Sequence, residues 1–566
     1  MFFERPESMF LNTMDPQKQN KTCEHCKKEF SITEGELSLY KKVEIELPTI
    51  CRDCRIKLHL SFWMFGKFRK GKSDLSGESL ITVLPEKNRY PIYTLSEWHS
   101  DKWDAMNFGM DYNPELPFFK QLQTLQEKIP HPHQNGSKNT GCDWCDDVWN
   151  SKNCYLSRSM EECEDLYYSY RNIRVKNSID VTICFNCEKC YDCSDCHHSY
   201  KLFYSQHSRD CIDSYFLYDC RNCQNCFMSW NLRGKSYCIE NVEYGREEYQ
   251  EKLKSFDLGS YPSIQVHKKC FEEIAQKEVV HRENFNLKAY NASGNYLINV
   301  KDCHNCNTIN DSEDCFNCIR AMREKSTIDA NGCWYSELIG NCADCVNSFA
   351  LKYSVWSSSR YSEYLDLCLE CEYCFGCVGL KKKKYCILDK QYTKEEYEDL
   401  KSEIISGMRK RGEYGQFLPY AMSAGPFNFS TGFPYFSETK KEDILRLGGY
   451  WEDIDEGNIE GMLASELPDD IKDVSNDITT KALICPETGW RFNIAQNELS
   501  FYRENNIPLP RKHFDVRTKG RLKYLTVLQS YSYVCFYCKK NIEAYYLPEW
   551  NYQKIACEEC YKQNIA

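Results

Sequence analysis

Four thiols in the pattern Cys23-x2-Cys26 and Cys51-x2-Cys54 can do one kind of chemistry well. Two C-x2-C knuckles place four thiolates around a tetrahedral metal, and a module with almost no core takes its fold from that binding. Zinc is the expected ion for such a set. A second set, Cys535-x2-Cys538 and Cys557-x2-Cys560, lies near the C-terminus with Tyr533, Phe536, Tyr537, Tyr545, Tyr546 and Trp550 around it. Four thiolates fill the coordination shell, so both sets read as closed and structural. His25 lies inside the first knuckle, where exposure is expected and not ligation.

The other cysteines follow a different rule. Between Cys142 and Cys238 there are fourteen, and every gap is a multiple of three. The empty slots of that phase carry Val148, Ser151, Ser157, Leu166, Ser178, Leu202 and Ser205. Tyr, Asp, Asn and Arg fill the positions between. A helix repeats every 3.6 residues and a strand every two, so neither explains this. A narrow β-solenoid does, with one inward residue per short side and about twelve residues per coil. Its interior is too thin for Phe or Trp. The runs Cys184, Cys187, Cys190, Cys193, Cys196 and Cys368, Cys371, Cys374, Cys377 are candidates for additional metal sites. Packing is the competing use, because free Cys is a small buried hydrophobe and Ser or Ala takes equivalent slots.

These elements repeat. Y-C-I-E-N-V-E-Y after residue 236 returns as Y-C-I-L-D-K-Q-Y, 148 residues later. The second ladder slips register once, between Cys345 and Cys368. The predicted order is a flexible tail (1–20), a zinc module (21–60), a small α/β connector (61–141), ladder 1 with a capping helix (142–258), a connector (259–290), ladder 2 with its helix (291–406), an acidic linker (407–480), a degenerate zinc-module repeat (481–525) and a C-terminal zinc module (526–566). The degenerate repeat stands at an offset of 462: Phe30, Glu36, Tyr40 and Arg55 match Phe492, Glu498, Tyr502 and Arg517. Cys485 and His513 survive there, whereas Thr488 and Val516 replace the other two ligands, so a fold without metal is expected. The fold class is therefore mainly β and multidomain.

The pattern C-E-H-C-x3-F-x-I-x3-E-L-x2-Y, followed by P-x2-C-R-D-C-R, resembles the zinc-ribbon, treble-clef-like domain of uncharacterised Cys-rich bacterial proteins. W-x2-D-K-W-D, P-F-F-K-Q-L and N-C-Y-L extend that resemblance to large zinc-ribbon proteins of uncultivated small-genome bacteria. It implies architecture and no mechanism.

The chain has 566 residues and a net charge of −11, which opposes general adhesion to nucleic acid. Residues 18–72 are locally basic, so Arg52, Arg55, Lys57, Lys67, Arg69, Lys70 and Lys72 are the candidate RNA or DNA contacts. Gly66-x4-Gly71-Lys72-Ser73 matches a phosphate-loop pattern, but Lys67, Phe68, Arg69 and Lys70 are too bulky to wrap a phosphate. His131 and His133 read as loop residues, and the lone Cys270 as a buried thiol. No run of 18 apolar residues occurs, and the start lacks a signal-peptide core, so a reducing cytoplasm is expected. No nucleophile–base pair or open metal site stands out. The leading expectation is a non-enzymatic scaffold that binds a macromolecular partner, a protein first of all, through the Tyr-rich outer faces of the ladders and the terminal zinc modules. Zinc storage in the ladders, a nucleic-acid or ribosome role, and an enzyme built on residues 60–140 follow as alternatives.

Overall fold

The computed structural model describes residues 19–65, 67–86, 88–453 and 460–565. Most of the expected tail (1–20) therefore lies outside the described residues. The chain is mixed α/β and multidomain, with more strand than helix, and it is built on two large parallel sheets. In the first (136–243, stack 1), Ile179 pairs with Tyr191, Tyr200 with Ile212, and Tyr215 with Phe227. In the second (287–391, stack 2), Leu297 pairs with Ile309, Ile309 with Ala321, and Cys374 with Cys386. Each pair is twelve residues apart, so each coil lies directly on the one before it.

The corners explain the period of three. Asn150, Asn153, Asp165, Asn177, Asp180, Asn186, Asp192 and Asp195 have φ between 46° and 57°, and so does nearly every third residue of both stacks. A left-handed residue turns an extended chain sharply. Asn and Asp tolerate that conformation best among side chains with a Cβ. A triplet is thus one inward residue, one extended residue and one left-handed corner. Four triplets close the coil.

The same geometry explains why the inward residues are so often Cys or Ser. Their own N–H groups are not used by the neighbouring strand. Cys163, Cys190 and Leu217 instead donate to the Oγ of Ser151, Ser178 and Ser205, one coil earlier, at 2.9–3.0 Å. Those hydroxyls pass a hydrogen bond to the carbonyl two residues back, as from Ser151 to Trp149. Thiols do the same: Cys154 N–H donates to Cys142 Sγ at 3.4 Å, and Cys193 Sγ donates to Tyr191 O at 3.4 Å. A buried N–H without a partner is costly, so the column needs small side chains carrying a heteroatom.

The slip in the second ladder is one eleven-residue coil. Phe349 pairs with Arg360, and the register shifts at Ser358 and Ser359. Both stacks end alike, with an antiparallel turn-back at Ile239–Val242 and Ile387–Lys390. Tyr249 and Tyr397, on the helices that follow, are buried against Tyr237 and Tyr385. They start alike as well. Gly136 and Gly294 have φ of 130° and 140°, and a Cβ there would meet the Val148 or Cys306 carbonyl at about 2 Å.

Three expectations need correction. The segment after residue 407 is packed and not a plain linker: Phe417, Leu418, Tyr420, Met422 and Phe427 are buried in the core shared with stack 2. Its residues 454–459 lie outside the described set. Cys270 is exposed, because the helix Tyr261–Lys277 buries Ile264, Phe271 and Ala275 and leaves Cys270 off that stripe. The aromatic outer face of stack 1 is not free, since Tyr168, Tyr191, Phe203, Phe216 and Phe227 are covered by that helix and by residues 464–509.

Candidate metal centres

Four copies of one hairpin-and-helix unit surround the stacks. Modules 1 (19–60) and 3 (483–522) were recognisable as repeats. Modules 2 (69–99) and 4 (531–564) are a further pair: the hairpins Arg69–Lys72/Ser79–Thr82 and Tyr531–Val534/Asn541–Ala544 stand 462 residues apart. The whole N-terminal pair is therefore duplicated at the C-terminus. The region expected as a connector contains module 2. The phosphate-loop look-alike lies across its first hairpin strand.

All four hairpins close with the same turn. Cys23, Ser73, Cys485 and Cys535 each donate their N–H five residues ahead, to the carbonyls of Lys28, Glu78, Trp490 and Lys540. The fourth residue after each, Lys27, Gly77, Gly489 or Lys539, is left-handed. The third ligand position is always a helix N-cap: Cys51, Thr94, His513 and Cys557. The fourth lies in the first turn: Cys54, Glu97, Val516 and Cys560.

In modules 1 and 4 the sulfurs converge. Cys23, Cys26, Cys51 and Cys54 lie within 4.8 Å of one another, as do Cys535, Cys538, Cys557 and Cys560, and each set could hold a metal ion. Cys26 and Cys51 are 3.7 Å apart, and Cys538 and Cys557 are 3.9 Å apart. Backbone N–H groups already point at the cluster, from Cys51 to Cys23 Sγ at 3.2 Å and from Cys557 to Cys535 Sγ at 3.4 Å. Hydrogen bonding from Cys54 holds the Cys51 thiol down at about 5. Burial opposes ionisation of Cys535, but the N–H groups of Cys557, Cys538 and Tyr537 hold it down at about 6. Both thiols are biased toward the thiolate that a metal requires.

In modules 2 and 3 hydrogen bonds occupy the positions that sulfurs take in the other two. Glu97 accepts from Ser73 Oγ at 2.5 Å and from Thr94 Oγ1 at 3.0 Å, while Thr94 caps the helix. Burial pushes the Glu97 carboxyl up, yet hydrogen bonds from Ser73, Ser76 and Thr94 hold it at about 2. This polar knot sits where four sulfurs sit in module 1. It was missed because none of its residues is a cysteine; the signal was the hairpin spacing Ser73-x2-Ser76 followed by Thr94-x2-Glu97. In module 3, His513 Nδ1 accepts from Asp515 N–H at 3.1 Å, so the imidazole caps its helix.

Among the described residues, these two sets are the only groups of three or more candidate ligands within 4.8 Å. The ladder thiols Cys184, Cys187, Cys190, Cys193, Cys196, Cys368, Cys371, Cys374 and Cys377 donate to backbone carbonyls instead. None of the 36 cysteines forms a disulfide.

Of the basic candidates, Arg55 is not on the surface. It is buried in an ion pair with Asp329 at 2.8 Å. Arg52 reaches the Leu528 carbonyl, Arg69 reaches those of Leu84 and Pro85, and Lys57 lies over the Phe436 ring. Lys67, Lys70 and Lys72 are exposed. His131 stacks on Tyr90 at 3.6 Å, and His133 accepts from Leu95 N–H. Among the described residues, no helix is long and apolar enough to cross a membrane.

Docking is crossed. Module 1 packs on stack 2, where Arg55 and Tyr40 meet Asp329 and Glu36 meets Asn317. Module 3 packs on stack 1, where Arg517 and Arg521 meet Asp180 at 2.9 and 3.0 Å and Glu498 meets Tyr168. The two aspartates stand in matching strands, K-S-T-I-D and K-N-S-I-D. Modules 2 and 4 pair with the strands that lead into stacks 1 and 2, through Ile92–His131 and Ile555–His281.

No protein-family model matches this sequence, and no curated protein matches it. One solved structure, titled as a "putative acetyltransferase" from Desulfovibrio desulfuricans G20, is 12% identical over 42% of this chain and 63% of its own. Its TM-score of 0.11 carries no argument.

Proposed function

We propose that this protein is a non-enzymatic zinc-stabilised scaffold that binds a macromolecular partner through its stacks and terminal modules. In this reading the stacks are β-solenoids and the modules are treble clefs. The carrying observation is that each metal set consists of four thiols and nothing else. Zinc–sulfur bonds of about 2.3 Å give a tetrahedral edge of about 3.8 Å. The sulfur pairs at 3.7 and 3.9 Å fit that edge. A shell closed by four thiolates leaves no position for a substrate, so bound zinc would order the module and do no chemistry. Module 3, which keeps one of the four cysteines, docks by the same Arg–Asp anchor as module 1, which supports a structural role for the metal.

The test is a metal count on purified full-length protein by mass spectrometry. Two zinc ions per chain, with one lost in Cys26→Ser and one in Cys538→Ser, support the scaffold. A much larger number, retained in both variants, would assign metal storage to the ladders and overturn it.

A further inference from the structure

An open cavity of about 380 Å3 lies between module 3, stack 1 and the segment that joins modules 1 and 2. Its walls are aromatic: Phe68, Tyr155, Tyr168, Trp490, Phe492 and Phe514. Tyr168 and Phe514 stack at 5.2 Å. Cations border it. Lys67 Nζ is 4.8 Å from the Trp490 ring centre, Lys519 Nζ is 5.7 Å from it, and Arg491 is exposed beside it.

Two buried polar atoms of its lining, the donor Trp490 Nε1 and the acceptor Asp515 Oδ1, have no hydrogen-bond partner among the described residues. Buried donors and acceptors are normally paired. An aromatic cavity whose lining residues hold one of each, beneath a positive rim, has the makings of a ligand site.

The duplicated half provides a control. At the offset of 462, Asp515 corresponds to Asp53, Phe514 to Arg52 and Lys67 to Gln529. There Gln529 donates to Asp53, and Arg52 reaches the Leu528 carbonyl at 3.3 Å. The chain's own side chains satisfy that aspartate. At module 3 the equivalent aspartate keeps an oxygen without a hydrogen bond: Phe514 stands in the arginine's place, and Lys67, in the glutamine's place, lies over the Trp490 ring instead.

We propose that this cavity binds a nucleotide unit. The base lies against the aromatic walls, its amine donates to Asp515, a ring nitrogen or carbonyl accepts from Trp490, and the phosphate meets Lys67 and Arg491. Every base has a stackable face, and a carboxylate selects bases that carry an exocyclic amine. The nucleotide is either free or one unit of a single-stranded RNA or DNA. The proposal deepens the scaffold reading by naming a partner's chemistry, and it rests on that reading only in treating the cavity as a binding site.

The experiment uses the metal-loaded full-length protein with AMP, CMP and UMP, and with labelled eight-nucleotide A, C and U strands. Binding is read by anisotropy and tryptophan quenching. The A and C probes bind, and the U probes bind at least about fivefold more weakly. Trp490→Ala weakens binding about tenfold or more, with Trp490→Phe as the variant that keeps the packing. Lys67→Glu weakens all probes and flattens the salt dependence. Asp515→Asn removes the preference for amine-bearing bases, with an unchanged melting curve showing that the fold is intact. Mononucleotides binding as tightly as strands identify a free nucleotide; strands alone identify nucleic acid. Absence of binding by every probe up to about 1 mM, or binding that Lys67→Glu and Asp515→Asn both leave unaltered, overturns the proposal, whatever the metal count.

Discussion

Modules 1 and 3 are the same object built twice, and only one has kept its thiols. Each lays the same two helices on a parallel stack. Each anchors itself through an arginine to a buried aspartate, Arg55 to Asp329 and Arg517 to Asp180. What differs is the knot at the hairpin. Module 1 gathers four sulfurs; module 3 keeps Cys485 and caps its helix with His513, while both bury the matching apolar residues, Ile32, Leu37 and Tyr40 in one and Ile494, Leu499 and Tyr502 in the other. Docking therefore does not need the metal. The apolar core is common to both modules, so the metal adds to the hairpin knot and does not stand in for core.

The largest effect should come from breaking the knot where sulfur makes it. Cys54→Ser should cost one bound metal and melt module 1, a loss of several kcal/mol at least, since thiolate-bound zinc supplies most of the folding energy of such modules. Cys485→Ser in module 3 should cost only about 1 kcal/mol. Hydrogen exchange of the two modules reads both. Equal protection losses would erase the distinction between the two modules.

Next come the anchors. Arg55→Ala leaves the buried Asp329 with only the Tyr40 hydroxyl, at about 3–5 kcal/mol. Asp180 is held by both Arg517 and Arg521, so the matching loss in module 3 takes Arg517→Ala together with Arg521→Ala. The consequences should differ. Module 1 should undock yet stay folded around its metal, whereas module 3 should undock and unfold. Limited proteolysis separates these outcomes, and cleavage inside both modules at equal rates would contradict the comparison.

The stacks can be contrasted in the same way. Glu324 points into stack 2, where Val175 occupies the equivalent slot of stack 1. Its carboxylate accepts from Ser336 N–H and Thr327 Oγ1, doing the work of a column serine. Burial pushes its pKa up to about 8. A carboxyl raised in the folded state favours folding at low pH, so its contribution is lost as pH rises from about 4.5 through about 8. Glu324→Gln should flatten that slope in the denaturation midpoint of stack 2. A slope that persists in the variant would assign it elsewhere.

The smallest effect belongs to the sulfur-free knot. Glu97 is held at about 2, below its unfolded value, so its support is full above about pH 4.5 and disappears as pH falls toward 2. Glu97→Gln should lose that acid sensitivity in module 2 while leaving the metal count at its wild-type value. A change in metal content would mean that modules 1 and 2 are not independent.

Much of this was legible because period and spacing are local. The three-residue phase fixed which residues point inward, and C-x2-C fixed the metal sets. Less visible was what the other two residues of each triplet do: Asn153, Asp165 and Asn186 are corner residues, and their left-handed conformation is the reason the coil closes. Module 2 was hidden because serine, threonine and glutamate carry its knot. Arg55 looked like a surface cation because a sequence does not show which arginine has an aspartate waiting 274 residues away. Crossed docking was hidden for the same reason, although the repeated K-x-[ST]-I-D strand was there to be matched.

That crossing also orders events in time. During synthesis, stack 1 is complete long before module 3 leaves the ribosome, since Asp180 waits for Arg517. Until then Tyr168, Tyr191 and Phe203 lack the residues from 464 onward that help to cover them. Contacts so distant in sequence close slowly, and uncovered aromatic faces associate with one another in the meantime. A chain released before residue 481 should therefore accumulate as insoluble material, while separately supplied residues 481–566 should rescue its solubility. The C-terminal pair is in this sense the chain's own late-arriving chaperone.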